Sequence, residues 1–282
     1  MNPLEQLAVG WLATGRSVRE WRTWAPWAPA LAGALAHSAL VLAIVFAAHP
    51  LLSWAMAPWL RAVSGDDALR YPELFRRLPG IVTRADRWWM PLYSPLLAGW
   101  ATALFAVTFH GRERLPATSR RETLGRASTL VLASLPFHLL IAAIAVGESS
   151  MLAGRVSTVT RALAPQVAQL LATVVRAVLL LVAPVVVLER RGLRGTLIAL
   201  PGAAQHAFLG ALMIAVLASL LPMPFDAWAA RSAALVASGL PEKVAVVVLL
   251  RGAAQAVSLV FAAGAAALLH RSVLHDRGDW GG

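Results

Sequence analysis

Residues 166–188 read QVAQLLATVVRAVLLLVAPVVVL, an apolar run interrupted by one charge, Arg176. A bilayer crossing needs about 20 mostly apolar residues, and this run is long enough. Five further stretches meet the same requirement: 29–49, 91–111, 128–147, 202–224 and 244–269. The last also carries an arginine, Arg251. The chain is 59% hydrophobic and 14% charged, with a mean hydropathy of +0.67. The sequence therefore predicts an all-α polytopic integral membrane protein, with six transmembrane helices and amphipathic interfacial helices.

Six spans and their connections use nearly all 282 residues, so the chain reads as a single six-span transmembrane domain, 1–282. Its longest connection, roughly 50–90, is too short for a soluble domain with its own core. Residues 1–28 hold Glu5, Arg16, Arg19, Glu20 and Arg22 and no apolar run of signal-peptide length. They are not expected to be a cleavable signal. Within them Leu4, Leu7, Ala8, Trp11, Val18 and Trp21 recur at helical spacing. That pattern predicts an amphipathic helix over 3–22 lying in the membrane interface. Residues 51–63 are apolar but too short to cross; they predict an interfacial or re-entrant helix, or a kinked extension of span one. The charged stretch 66–87, with Pro72 and Pro79-Gly80, reads as a solvated, partly helical loop. Residues 152–163 suggest another flat-lying helix.

The net charge of +11 lies in loops beside the spans. Anionic lipid attracts basic residues there, so lipid is the expected partner, together with other membrane subunits, and nucleic acid is not. The oligomeric state is not legible. The short loops after spans two and four hold five and three basic residues, against two each after spans three and five. Basic residues concentrate on the cytoplasmic side, which places both termini in the cytoplasm of a bacterial inner-membrane protein.

The motifs are mostly exclusions. There is no cysteine, and the only lysine, Lys243, follows Pro241-Glu242, so no phosphate-cradling P-loop is present. The histidines do not pair at metal-binding helical spacing. No metal, cofactor or catalytic group is expected. His138, midway along span three, reads as a hydrogen-bonded packing histidine. No predicted span contains Asp or Glu, which argues against a proton- or sodium-coupled carrier.

Arg176 and Arg251 are the candidate binding residues. Gln169 and Thr173 share a helix face with Arg176; Gln255 and Ser258 share one with Arg251. A charge near the membrane centre costs at least about 2.5 kcal/mol, so each arginine is expected to face protein, water or an anion. One reading makes them an anion or lipid-headgroup site between spans four and six. The other has each bonded to carbonyls, Gln or Ser of a neighbouring helix, or to an acid of another subunit. With no acid in a span, neutralisation within this chain is not expected.

The stretch Ala183-Pro184-Val185-Val186-Val187-Leu188-Glu189-Arg190-Arg191-Gly192 and the ending Ala267-Leu268-Leu269-His270-Arg271 resemble a broad group of bacterial six-span proteins. That group includes the membrane domain attached to some glycerophosphodiester phosphodiesterases. Leu200-Pro201 and His270 stand where members often show a Ser-Trp pair and a Tyr. The resemblance covers about a hundred residues of the C-terminal half and implies fold and topology. The soluble phosphodiesterase domain is absent, so its reaction is not implied. The expected function is a non-catalytic membrane subunit or scaffold. Its alternatives are a permease-like component for an anionic or amphiphilic solute and, third, a membrane enzyme acting on lipid.

Overall fold

A computed structural model describes residues 2–108, 116–153 and 157–276. Among them every regular element is helical: α1 (Pro3–Glu20), α2 (Trp27–Val45), α3 (Pro50–Ser64), a 3-10 turn (Asp66–Leu69), α4 (Glu73–Thr108), α5 (Pro116–Leu124), α6 (Ala127–Ala153), α7 (Thr158–Leu179), α8 (Val182–Val187), α9 (Leu193–Leu220), α10 (Met223–Ala229), α11 (Ser232–Ala237) and α12 (Glu242–Asp276). Five stretches among the described residues are long and apolar enough to cross a membrane: Trp27–Val45, Ala127–Ala153, Thr158–Val187, Leu193–Leu220 and Glu242–Val273. They coincide with five of the six expected segments. The sixth, 91–111, begins within α4, where Pro91, Tyr93, Ser94, Pro95, Gly99 and Trp100 dilute its apolar content, and its last residues lie outside the described ones. Many large apolar side chains on the five helices point outward, Leu35, Leu139, Leu170 and Ile198 among them. A water-soluble surface rarely carries so much contiguous apolar area; the protein is a multi-pass membrane protein.

The chain divides into two compact units. The first comprises Met1–Ala28, Pro91–Ala218 and Leu259–Gly282. Its interior is alanine-rich: Ala101, Ala133, Ala177, Ala207, Ala211 and Ala265 through Ala267 are buried. Small side chains let helix backbones approach closely, which is how helices associate where lipid supplies no hydrophobic drive. The aromatic Phe105 fills the notch left by Gly264; a Cβ there would stand 2.7 Å from its ring. The span-four segment is α7 and α8 separated by Leu180 and Leu181. Pro184 explains the break, since it lacks an N–H and its ring crowds the carbonyl four residues earlier, that of Leu180.

α1 also belongs to this unit. A reciprocal capping box starts it: Asn2 accepts from the Glu5 N–H at 2.8 Å, and the Asn2 N–H donates to the Glu5 carboxylate at 2.8 Å. The expected helix is present, but its packed face is Gln6, Gly10, Ala13 and Ser17. Leu4, Trp11 and Val18 face outward. The reason is steric. Gly10 lets the backbone come so near α9 that a Cβ would sit 2.7 Å from Gly210 Cα. The Gln6 amide then bridges one turn of α9, donating to the Gln205 carbonyl at 3.3 Å and accepting from the Leu209 N–H at 3.2 Å. Ser17 donates to the Phe261 carbonyl of α12 at 3.2 Å.

The second unit comprises Pro29–Met90 and Ser219–Ser258. Here the expectation of a solvated loop over 66–87 is corrected. α4 starts at Glu73 and passes through Pro79-Gly80 without a break. Its residues Leu74, Phe75, Leu78, Ile81, Val82 and Ala85 recur at helical spacing and form a core with Val41, Ile44, Leu60, Val244 and Val248. The burial of this stripe outweighs the helix-breaking tendency of one proline. The apolar 51–63 stretch is the helix α3, with Pro50 in its first turn and the His49 ring accepting from the Leu51 N–H at 3.3 Å. The expected flat helix over 152–163 is not found: α6 runs to Ala153 and α7 starts at Thr158 under a Ser157 cap, with Val156 outside the described residues.

Candidate functional site

In the second unit about two and a half turns of α4, Pro79 to Arg87, stand beside Arg251 of α12 and the segment Asp226 to Ala230 at the end of α10. Together they line an open depression of about 370 Å³, within the range of small-molecule sites. α4 turns charged residues toward it while its apolar stripe enters the core. Three arginines, Arg84, Arg87 and Arg251, and one carboxylate, Asp226, are among its lining residues.

Two of the three are held in place. Arg251 Nε lies 2.6 Å from Asp226 Oδ1, and its Nη1 donates to Thr83 Oγ1 at 3.1 Å. Thr83 in turn donates to the Pro79 carbonyl at 2.8 Å. Arg84 donates to the Val63 carbonyl and reaches Ser64 Oγ at 3.5 Å. Arg87 is exposed and has no hydrogen bond or ion pair among the described residues. An excess of fixed cations around a cavity with one guanidinium uncommitted attracts anions.

Arg251 is thus neutralised from within the chain, against the expectation that a partner or a lipid phosphate must do it. The acid comes from a short helix between spans. Sequence position hides this, because Asp226 and Arg251 are 25 residues apart and only the return of the chain through α10 and α11 brings them together. Gln255, expected as Arg251's companion, is half-buried with its Oε1 unpartnered, and Ser258 is half-buried one turn beyond.

Arg176 belongs to the first unit, and its surroundings are different. It and Gln169 are exposed on α7, whereas Thr173 is buried and donates to the Gln169 carbonyl of its own helix at 2.8 Å. The Thr173 hydroxyl is therefore engaged with the backbone. His138 bonds Ser94 Oγ at 3.3 Å, so this histidine is hydrogen-bonded as expected.

The first unit holds a second polar cluster that the sequence did not flag as a site. His270 Nε2 lies 2.9 Å from Glu189 Oε1, and Arg191 Nε 2.5 Å from Oε2. These residues come from the two stretches that carry the family resemblance. Arg190, between Glu189 and Arg191 in the link from α8 to α9, has φ +54°. Hydrogen bonding from His270, with the charges of His270 and Arg191, holds the Glu189 carboxyl below its ordinary range against the opposing effect of burial. Arg126, just before α6, donates to the Val186 carbonyl of α8 at 2.6 Å.

Comparison with protein-family models, curated proteins and solved structures finds no match. The local chemistry alone therefore carries any functional reading.

Proposed function

We propose that this protein is a non-catalytic subunit or scaffold of the bacterial cytoplasmic membrane, which packs against lipids and other membrane proteins and holds an anionic group in the Arg84–Arg87–Arg251 depression. The observation that supports it is Arg87: an exposed guanidinium in a cation-rich depression whose two other arginines are already anchored. The reading carries six spans, the five apolar helices plus the second half of α4, with both termini in the cytoplasm. It places the outward Leu4, Trp11 and Val18 face of α1 against lipid. A cysteine introduced at 236 should react with an impermeant thiol reagent on intact cells, and one at 118 should not; the reverse pattern would overturn the orientation.

The test of the binding role is native mass spectrometry of the protein extracted in mild detergent. Anionic lipid or another phosphate-bearing species should co-purify, and Arg87→Gln should reduce it by about tenfold, the loss of one charge-assisted contact. Equal retention by wild type and variant would exclude the depression as the binding site.

A permease-like role for an anionic or amphiphilic solute is the second reading. What favours it is a buried ionisable pair, His37 and Asp86, 3.6 Å apart. A passive scaffold has no need of such a pair, which burial makes costly.

A further inference from the structure

His37 lies midway along α2 with 1% of its side chain exposed, and its Nδ1 is 3.6 Å from Asp86 Oδ1 on α4. Both imidazole nitrogens and that carboxylate oxygen are buried without a hydrogen-bond partner. A buried polar atom left unpaired costs about 1–3 kcal/mol, so a histidine serving only to fill space would be better replaced by an apolar ring. α12 is shaped around this one: Gly252 packs its backbone on the imidazole, and a Cβ there would fall 1.8 Å from Cδ2. One turn further along α12, Gln255 Oε1 is also unpartnered.

We infer that His37 and Asp86 together form a proton-binding site among the membrane helices. One proton taken from water converts a neutral imidazole and a carboxylate into an imidazolium–carboxylate pair, or equally into imidazole and carboxylic acid. A proton lying between Nδ1 and Oδ1 engages two of the unpaired atoms at once and draws the groups into hydrogen-bonding range. Asp86 is 13% exposed whereas His37 is enclosed, so protons reach the pair from the Asp86 side. Asp86 lies in none of the predicted spans, and it is α4 that carries this carboxylate to the middle of α2.

α2 has no other titratable residue. On α4, Arg84 is tied to Val63 and Ser64, and Arg87 faces the depression. On α12, Arg251 is tied to Asp226 of α10 and to Thr83. Arg87, next to Asp86 in sequence, therefore opposes proton uptake, and an anion over Arg87 relieves that opposition. Proton and anion then reinforce each other, by the same factor in each direction. This coupling, unlike the proton site itself, rests on the anion reading of the depression.

The experiment is nitrogen NMR of the full chain, labelled in its histidine side chains and held in phosphatidylcholine nanodiscs. The His37 signal is assigned by its loss in His37→Gln. It should change between pH 5 and 9, and Asp86→Asn should alter that change, because the carboxylate facing Nδ1 is gone. If His37→Gln does not fold, the signal is assigned as the histidine resonance that Asp86→Asn moves. A His37 signal constant over that range, or no histidine signal altered by Asp86→Asn, overturns the proton site. Inorganic phosphate is then added, or phosphatidylglycerol replaces part of the lipid. A midpoint moved by phosphate identifies a free anion, and one moved by phosphatidylglycerol alone identifies a headgroup; either shift should vanish in Arg87→Gln. An Asp86-dependent midpoint that neither probe moves establishes the proton site and refutes the anion reading.

Discussion

Asp226 Oδ1 stands 2.6 Å from Arg251 Nε, an acid from a short connecting helix against an arginine ten residues into α12. The arginine is largely buried and the carboxylate nearly half exposed. Water therefore screens the pair from one side, and its energy lies between that of a surface bridge and a buried one. Asp226→Asn should cost about 1 kcal/mol and lower the melting temperature in detergent by a few degrees. The pairing is specific if Asp226→Asn adds no further loss in an Arg251→Leu background. Additive losses in the double variant would show that the two groups act independently.

Gly252 and His37 make a tighter demand. A Cβ at 252 would lie 1.8 Å from the imidazole, a separation no side chain tolerates. Gly252→Ala should then destabilise the protein by about 1–3 kcal/mol, the usual range for overpacking. Adding His37→Ala should recover much of the loss, because the ring is what the methyl strikes. Thermal unfolding of the single and double variants checks this; a double variant no better than Gly252→Ala would place the clash elsewhere.

The bridge from Gln6 to Gln205 and Leu209 anchors α1. Gln6→Leu removes both bonds and should cost about 1–2 kcal/mol. Amide exchange in nanodiscs is the direct measurement. Protection across Pro3–Glu20 should fall in the variant while that of α6 stays unchanged. Equal protection in variant and wild type would mean that the Gly10–Gly210 contact suffices.

Glu189 supplies a pH dependence. Its carboxyl is held below its ordinary value of 4.5 by the His270 hydrogen bond first, then by the charges of His270 and Arg191. A group whose folded-state value is depressed contributes stability that is complete above the unfolded value and is lost as pH falls through the folded one. Stability should therefore decline on acidification below about pH 4.5, and Glu189→Gln should flatten that decline. Melting temperatures between pH 3 and 7 test it; parallel curves for the two proteins would remove Glu189 as the cause.

The sequence by itself determined the class of this protein. Long apolar runs such as 128–147 and 166–188 leave the backbone no alternative in lipid to satisfying its own hydrogen bonds as helix. The capping pair Asn2–Glu5 likewise acts over a few residues, so the start of α1 is a local fact, whereas the single run expected over 166–188 breaks at Leu180 and Leu181. The reach of α4 was less legible: Pro79-Gly80 reads as a stop, and only the core formed with Val41, Leu60 and Val248 makes the continuous helix the better state. The same holds for the face of α1 that packs, because its Leu and Trp stripe is conspicuous, whereas Gly10 matters only once Gly210 lies opposite. The candidate site shows the limit plainly. Arg251 could be singled out because a charge in an apolar run is costly wherever the chain goes. Asp226, Thr83, Asp86 and His37 could not, because each becomes significant only through a neighbour tens of residues or more away. Pairing across such distances is set by how helices pack, and that is information that only the tertiary structure carries.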